Sequence, residues 1–385
     1  MISQFWHTLH LKNTPLASLY WTHSILCFGL SLVGIFIPVY IYQLTGNFFY
    51  LPAFYALAST VALTVFLFGA GIVARLGVTR LVLISNLSRI FNLMLLLLAA
   101  HNPMLIFLAA VFEGLVYPTY WVSYHLIFTS RGHNKSFGRE IGWMGIFVSL
   151  VSALAPLVGG LVISAFGFTA LYGLGMIVVL LSSFPIFFAG DHLEFHPMGA
   201  SQIVKESLTP GWRPMLAGLF AMRLEIYFSM IFWAIFLFVT LGSYTVLGGF
   251  ATLQIIVGVV LMLTAGRLVD KAGSRKVFPW SAALLAPFWV LVGFFSSVAV
   301  LIPLVVYRSM LGPFYGISAD SLYYSVARRD PYSAVIKREF AIHISIIVWC
   351  ALAALLWFFF PAQWPVFFIT AALGPLIAIV MVKAK

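Results

Sequence analysis

Charge is what this chain lacks most. Only 8% of its 385 residues are Asp, Glu, Lys or Arg, while 63% are hydrophobic. A water-soluble domain carries about 25% charged residues to solvate its surface, so that class is excluded. Cysteine is nearly absent too. Cys27 and Cys350 both fall inside apolar runs, where a thiol reads as a small hydrophobe, and they imply no disulfide framework. The nine histidines offer no metal signature. His192 and His196 flank Glu194, which is not the His-Glu-x-x-His order of zinc hydrolases, and His23, His125 and His343 read as hydrogen-bonded interior residues. No strand pattern exists for a phosphate loop to follow, so nothing points to ATP as an energy source. No metal, no cofactor and no catalytic cluster is expected, and a polytopic membrane enzyme would need one. A cleavable leader is also missing from the pattern. Met1 to Asn13 is mixed and polar, and the apolar run beyond Pro15 is too long for an h-region.

What is present is a series of long apolar runs. Twelve of membrane length lie near 16–43, 48–73, 79–99, 103–128, 140–165, 167–189, 213–241, 243–268, 277–296, 299–326, 338–360 and 363–382. Each meets the roughly 20 residues a helix needs to cross the hydrocarbon core. Pro38, Pro118, Pro156, Pro185, Pro287 and Pro313 lie inside them and mark expected bends. The turns after spans 1, 3, 5, 7, 9 and 11 contain no charged residue. The opposite side holds Lys12, Arg75, Arg80, Arg131, Lys135, Arg139, Lys205, Arg213, Arg267, Lys271, Arg275, Lys276, Arg328, Arg329, Lys337, Arg338, Lys383 and Lys385. By the positive-inside rule both termini are expected in the cytoplasm of a multi-pass protein of the cell (inner or plasma) membrane. The net charge of +11 is therefore topological, and no nucleic-acid partner is expected.

The chain repeats itself. Gly77 in the turn Arg75 to Arg80 corresponds to Gly273 in the turn Gly266 to Lys276, 196 residues on. Pro118, among Tyr117, Thr119 and Tyr120, corresponds to Pro313, before Phe314 and Tyr315, 195 residues on. Arg139-Glu140 and Arg338-Glu339 then end the two following basic loops. Three ordered matches predict two related six-helix halves, 1–190 and 213–385, joined by a short cytoplasmic loop over 191–212. Within that loop Ile203 to Leu208 suggests a short interfacial helix.

These features resemble the major facilitator superfamily over essentially the whole length. Gly266, Asp270, Lys271, Gly273, Arg275 and Lys276 match its signature loop between spans 8 and 9. Ala155 to Gly160 is similar to its Gly-Pro-x-x-Gly-Gly element. The first-half copy of the loop departs from the pattern, with Ala70, Ala74 and Thr79 at signature positions. The arginine motif of the family's proton-coupled drug exporters is missing from span 4, where Glu113 stands. The resemblance implies an all-α membrane protein with twelve helices in two pseudo-symmetric bundles, a secondary transporter working by alternating access. It gives the loop a gating role that stabilises the outward-open state. Physically, Gly266 and Gly273 would permit close approach and a tight turn, and Asp270 could meet a helix N-terminus or an arginine across the seam in one conformation only. Anchoring to anionic headgroups is the simpler alternative.

Three cations, Arg89, Arg223 and Arg308, are left inside spans. A charge in hydrocarbon costs at least ~2.5–3.5 kcal/mol, so each needs a partner or water. Glu113 lies about ten residues into span 4, roughly 15 Å deep at 1.5 Å per residue, and Arg308, Arg223 and Glu225 fall in the same layer. The resemblance implies that spans 1, 4, 7 and 10 line a central cavity, so these four are candidates for substrate binding or coupling. Tyr117, Tyr120 and Tyr124 follow Glu113 at helical spacing, and Tyr315 shares a face with Arg308 and Gly312; such rings could line a site or simply pack. Arg223 and Glu225, two apart, cannot share a face. Arg89 could instead bind Glu113 structurally. Glu113, Glu225 and Asp320 are candidate proton carriers. Three positive charges against two negative mildly favour an organic anion or zwitterion as the small-molecule substrate. A monomer in contact with membrane lipids is expected. The alternative is a non-transport protein on the same scaffold, a sensor or lipid scramblase.

Overall fold

The computed structural model describes residues 14–69, 75–121, 123–124, 137–188, 199–327 and 331–384. Every regular element among them is a helix. In chain order these are α1 (Thr14–Val33), α2 (Phe36–Thr45), α3 (Tyr50–Phe68), α4 (Val78–Leu98), α5 (Leu105–Val116), α6 (Phe137–Ser152), α7 (Ala155–Leu181), α8 (Ala200–Ser207), α9 (Arg213–Phe228), α10 (Ala234–Leu241), α11 (Tyr244–Ala272), α12 (Ser274–Val292), α13 (Val298–Ala327), α14 (Pro331–Phe359) and α15 (Trp364–Ala378). Nine described segments are long and apolar enough to cross a membrane, and Leu105–Trp121 is a shorter apolar helix. With no water in the bilayer, a spanning segment must satisfy its own backbone, which this helical pattern does. The chain is an all-α, multi-pass membrane protein.

Bends fall where the backbone demands them. Gly167 (φ 78°) breaks α7 where one expected span gives way to the next. Gly77 (φ 74°) and Gly273 (φ 85°) both take positive φ immediately ahead of α4 and α12. Pro118 sits in a π-helical turn, Tyr117–Trp121, and a second π turn, Ser229–Trp233, joins α9 to α10. Two expectations need correction. A Cβ on Gly266 would meet nothing, so that glycine serves no close approach. Lys337 and Arg338, expected in a loop, lie inside α14, which starts at Pro331 rather than near 338. Proline at the first helical position explains the earlier start. The turn with Arg131 and Lys135, the segment from Asp191 to Met198, and Arg328 and Arg329 lie outside the described residues.

Helices from the two halves of the sequence meet along two seams, α3 against α14 and α7 against α11. One end of the molecule, called here the far end, is tightly sealed. A Cβ on Gly160 would strike the Tyr244 carbonyl oxygen, and one on Gly248 would strike that of Pro156, so the α7 and α11 backbones touch directly. Tyr244 donates to Gln43 (2.7 Å), and Phe48 stacks on Trp357 (4.1 Å) and Phe232 (4.9 Å).

At the opposite, linker end, α8 bridges the α3–α14 seam. Ile203 packs with Phe66 of α3 and Ile336 of α14. Glu206 accepts from Gln202 (2.9 Å) and Ser333 (2.8 Å) and pairs with Lys337 (3.0 Å), whose ammonium lies over Trp212. Hydrogen bonds from Gln202, Lys337 and Ser333 hold the Glu206 carboxyl down to about 2. A carboxyl whose folded value is depressed contributes stability that is complete above its ordinary value near 4.5 and lost as pH falls toward 2. Docking of α8 should therefore be unchanged from pH 5 to 8. Glu206→Ala is expected to speed tryptic cleavage after exposed Lys205 a few-fold across that range, read on gels of the purified protein.

Candidate functional site

α13 organises the interior. Residues Leu301, Val305, Arg308, Gly312, Gly316 and Asp320 follow one another at spacings of three or four and share one face. That face changes character along its length. Leu301 and Val305, toward the far end, are fully buried. Beyond Arg308, a Cβ on Gly312 or Gly316 would meet no atom within 4 Å. Asp320 is exposed although it lies deep among protein atoms, which marks the wall of a cavity rather than the outer surface. The opposite face, with Tyr307 and Met310, carries the large exposed apolar side chains expected against lipid. A space therefore runs from the level of Arg308 toward the linker end and is shut at the far end.

Arg308 stands where the seal ends. Its Nη2 donates to Glu225 Oε1 (3.1 Å) and Ser229 Oγ (3.2 Å), and its guanidinium lies 5.0 Å from the Trp289 ring centroid. Trp289 Nε1 donates to the same Glu225 oxygen (3.1 Å). Glu225 is 5% exposed and Arg308 23%, so the pair joins α9, α12 and α13 while only the arginine reaches the space. Arg223 turns the other way, as its two-residue separation from Glu225 requires. It makes no hydrogen bond or ion pair with a described residue, is partly exposed, and acts electrostatically on Glu339, His343 and Asp320.

The first half supplies Glu113, partly exposed and without a hydrogen bond or ion pair to a described residue, within the field of Arg89. Of the tyrosines after it, Tyr117 stays within its field, while Tyr120 and Tyr124 turn elsewhere. The π turn at 117–121 adds residues to a turn and rotates the helix beyond it, so the expected stripe disperses. Tyr117 interacts with Tyr227 of α9 and lies against His343 (4.9 Å between rings). Tyr120 is buried inside the first half, its hydroxyl 2.6 Å from His23 Nδ1 and its ring under the Arg89 guanidinium. Tyr124 packs on His23 (4.7 Å). Tyr315 also departs from expectation. It is buried and stacks on Phe278 (5.3 Å), away from the open face of Gly312.

The signature-like loop is open. Exposed Asp270 makes no hydrogen bond or ion pair with a described residue, and Lys271 and Lys276 are likewise exposed. Arg275 donates to the Ala384 carbonyl (2.7 Å), tying the turn to the end of the chain. Reading the sequence missed the α14 group of Arg338, Glu339 and His343, because it placed the first two in a loop. The Pro331 start and the four-residue spacing of Glu339 and His343 were the available signals.

Known structures share this arrangement of helices. The chain superposes on the transporter FucP in its outward conformation with a TM-score of 0.68, covering 98% of this chain and 99% of that one at 14% identity. The fold is that of the major facilitator superfamily. The human organic anion transporter MFSD10 (TETRAN) gives the same TM-score at 11% identity, over 97% and 99% of the two chains. A second structure of the E. coli fucose:proton symporter gives 0.65 at 12% identity, over 95% and 97%. No family model matches the sequence. Among curated proteins, the uncharacterised YqgE of Bacillus subtilis (strain 168) is 23% identical over 347 residues, 85% of this chain and 80% of that protein. These matches show the fold and leave the subfamily open.

Proposed function

We propose that the chain is a secondary active transporter that moves a small organic anion or zwitterion by alternating access. In this reading twelve spans form two six-helix halves, 1–190 and 213–385, with 191–212 between them. Both termini and the linker end are cytoplasmic. The present state is then closed outside and open inside. An Asp270 without a partner among the described residues fits the gating role of Gly266, Asp270, Lys271, Gly273, Arg275 and Lys276, whose contacts would form in the other state. The neighbours of similar fold include, by their names, a fucose:proton symporter and an organic anion transporter, and protons are a reasonable coupling ion here.

The observation that carries this reading is the α13 face, sealed at Leu301 and Val305 and open at Gly312, Gly316 and Asp320. Beside it stand charges from both halves that pair with no described residue. Arg223 would take the anionic group. Glu113 and Asp320 would take a cationic group or a proton, Arg308 would line the closed end, and Glu225 would hold Arg308 in place. Tyr117 would contribute through the seam, while Tyr120 and Tyr315 would support the wall.

A stability screen of the purified protein against small organic anions and zwitterions, at pH 5.5 and 7.5, tests it. A solute at a hundred times its Kd should stabilise by about 2.7 kcal/mol. The same solute should exchange across proteoliposomes, and Arg223→Gln should lower that exchange at least ten-fold while the thermal transition of the unliganded protein stays put. Lipid-analogue flipping with no solute exchange would instead favour a scramblase on this fold.

A further inference from the structure

Helix α14 holds a buried pair that the site described above does not use. Glu339 and His343, four residues apart, share one face, and they are 4% and 0% exposed. His343 Nε2 stands 3.8 Å from Glu339 Oε2, too far for a hydrogen bond. Neither imidazole nitrogen has a hydrogen-bond partner among the described residues. Burying polar nitrogens without partners is unfavourable, and a native structure that does so calls for a reason.

We propose that His343 and Glu339 form a proton-binding switch at the seam between the halves. A proton taken up on the imidazole makes both ring nitrogens donors. A closing movement of about 1 Å then turns the 3.8 Å separation into a charge-assisted hydrogen bond to Glu339. Movement of the ring would be felt across the seam. The ring lies against Tyr117 (4.9 Å) and Phe66 (5.7 Å), both from the first half, while its own helix belongs to the second. Drawing the ring toward Glu339 loosens its packing on Tyr117 and Phe66 and so shifts the balance between the two arrangements of the halves.

The surroundings suit such a switch. From α9, Arg223 acts on both members of the pair, and Tyr227 interacts with Tyr117. From α13, Tyr323 interacts with Glu339, and Asp320 faces Arg338. On α14 itself Arg338 acts on Glu339, while Lys337 is engaged by Glu206 of α8. From α3, Tyr55 stands beside Tyr227. Two neighbouring cations repel, so an anion on Arg223 and a proton on His343 favour each other, and linkage makes that preference reciprocal. Here the inference rests on the transporter reading, and it supplies a route to co-transport of proton and anion.

The test needs no substrate. Spin labels replace exposed Arg80 and Lys383, at the linker ends of the two halves, after Cys27→Ala and Cys350→Ala. Distances between them are measured by pulsed electron resonance in lipid nanodiscs from pH 5 to 8, the range in which histidine ordinarily titrates. The parent should show two distance populations that exchange with a one-proton midpoint. His343→Gln and Glu339→Gln should each freeze the distribution across the whole range. A parent distribution that ignores pH overturns the switch, and so does a shift that survives in either folded variant. Should one variant fail to fold, the other decides. Failure to find any transported solute would count against the transporter reading and leave this measurement standing.

Discussion

Arg308→Ala is expected to destabilise the protein by about 3–5 kcal/mol, the cost of stranding one member of a buried ion pair. Glu225, 5% exposed, would keep only the Trp289 indole as donor, and the α9–α12–α13 junction would lose its shared oxygen. The informative variant is the double one. Replacing both partners with apolar residues of similar size, Arg308→Met with Glu225→Leu, should recover most of that loss, since a well-packed apolar pair is often neutral or better. Chemical denaturation in mild detergent gives the stability and proteoliposome exchange gives the function. Arg308 is 23% exposed at the mouth of the open face, so exchange should stay lost in the double variant even with stability restored. Recovery of both together would make the pair purely structural and leave the solute site to Arg223, Glu113 and Asp320 without Arg308.

Much of this architecture could be read in the sequence because the bilayer leaves few options. A helix must be apolar for about 20 residues, and basic residues must fall on one side. Those two constraints place the break at Gly167 and the matched turns at Gly77 and Gly273, where a positive φ selects glycine. The site was less legible, for local reasons. Helical spacing puts Glu113, Tyr117, Tyr120 and Tyr124 in one stripe only if the helix is regular, and a π turn at Pro118 is invisible to a 3.6-residue period. The direction of Tyr315 depends on Phe278, which lies 37 residues away in sequence and opposite it in space. Lys337 and Arg338 look like loop residues to any rule that counts charge. They are buried or partly buried because Glu206 and the Tyr323 ring receive them, and such tertiary partners have no local signature. The same blindness hid His343 and Glu339.

Gly160→Val should remove the present closed state of the far end without unfolding the protein. The added side chain would meet the carbonyl of Tyr244, which is backbone and cannot swing aside as a flexible side chain would. Overpacking of this kind costs about 1–3 kcal/mol. The penalty applies only where α7 and α11 touch, so a state with those helices apart is spared. A difference of about 3 kcal/mol confined to one state changes a two-state ratio by roughly a hundred-fold. Spin labels at exposed Asn47 and Gln363, on the far end of either half, should then report a distance several ångströms longer than in the parent. Gly248→Val, which meets the Pro156 carbonyl on the same seam, should act alike, and the two together should add little once the seam is open. Gly312→Val is the control. Its Cβ enters the open face of α13 and touches nothing, so it should leave that distance unchanged while reducing solute exchange by narrowing the space beside Arg308. If both seam variants keep the parent distance, the two halves do not separate at this seam, and the closed end is a fixed wall rather than a gate.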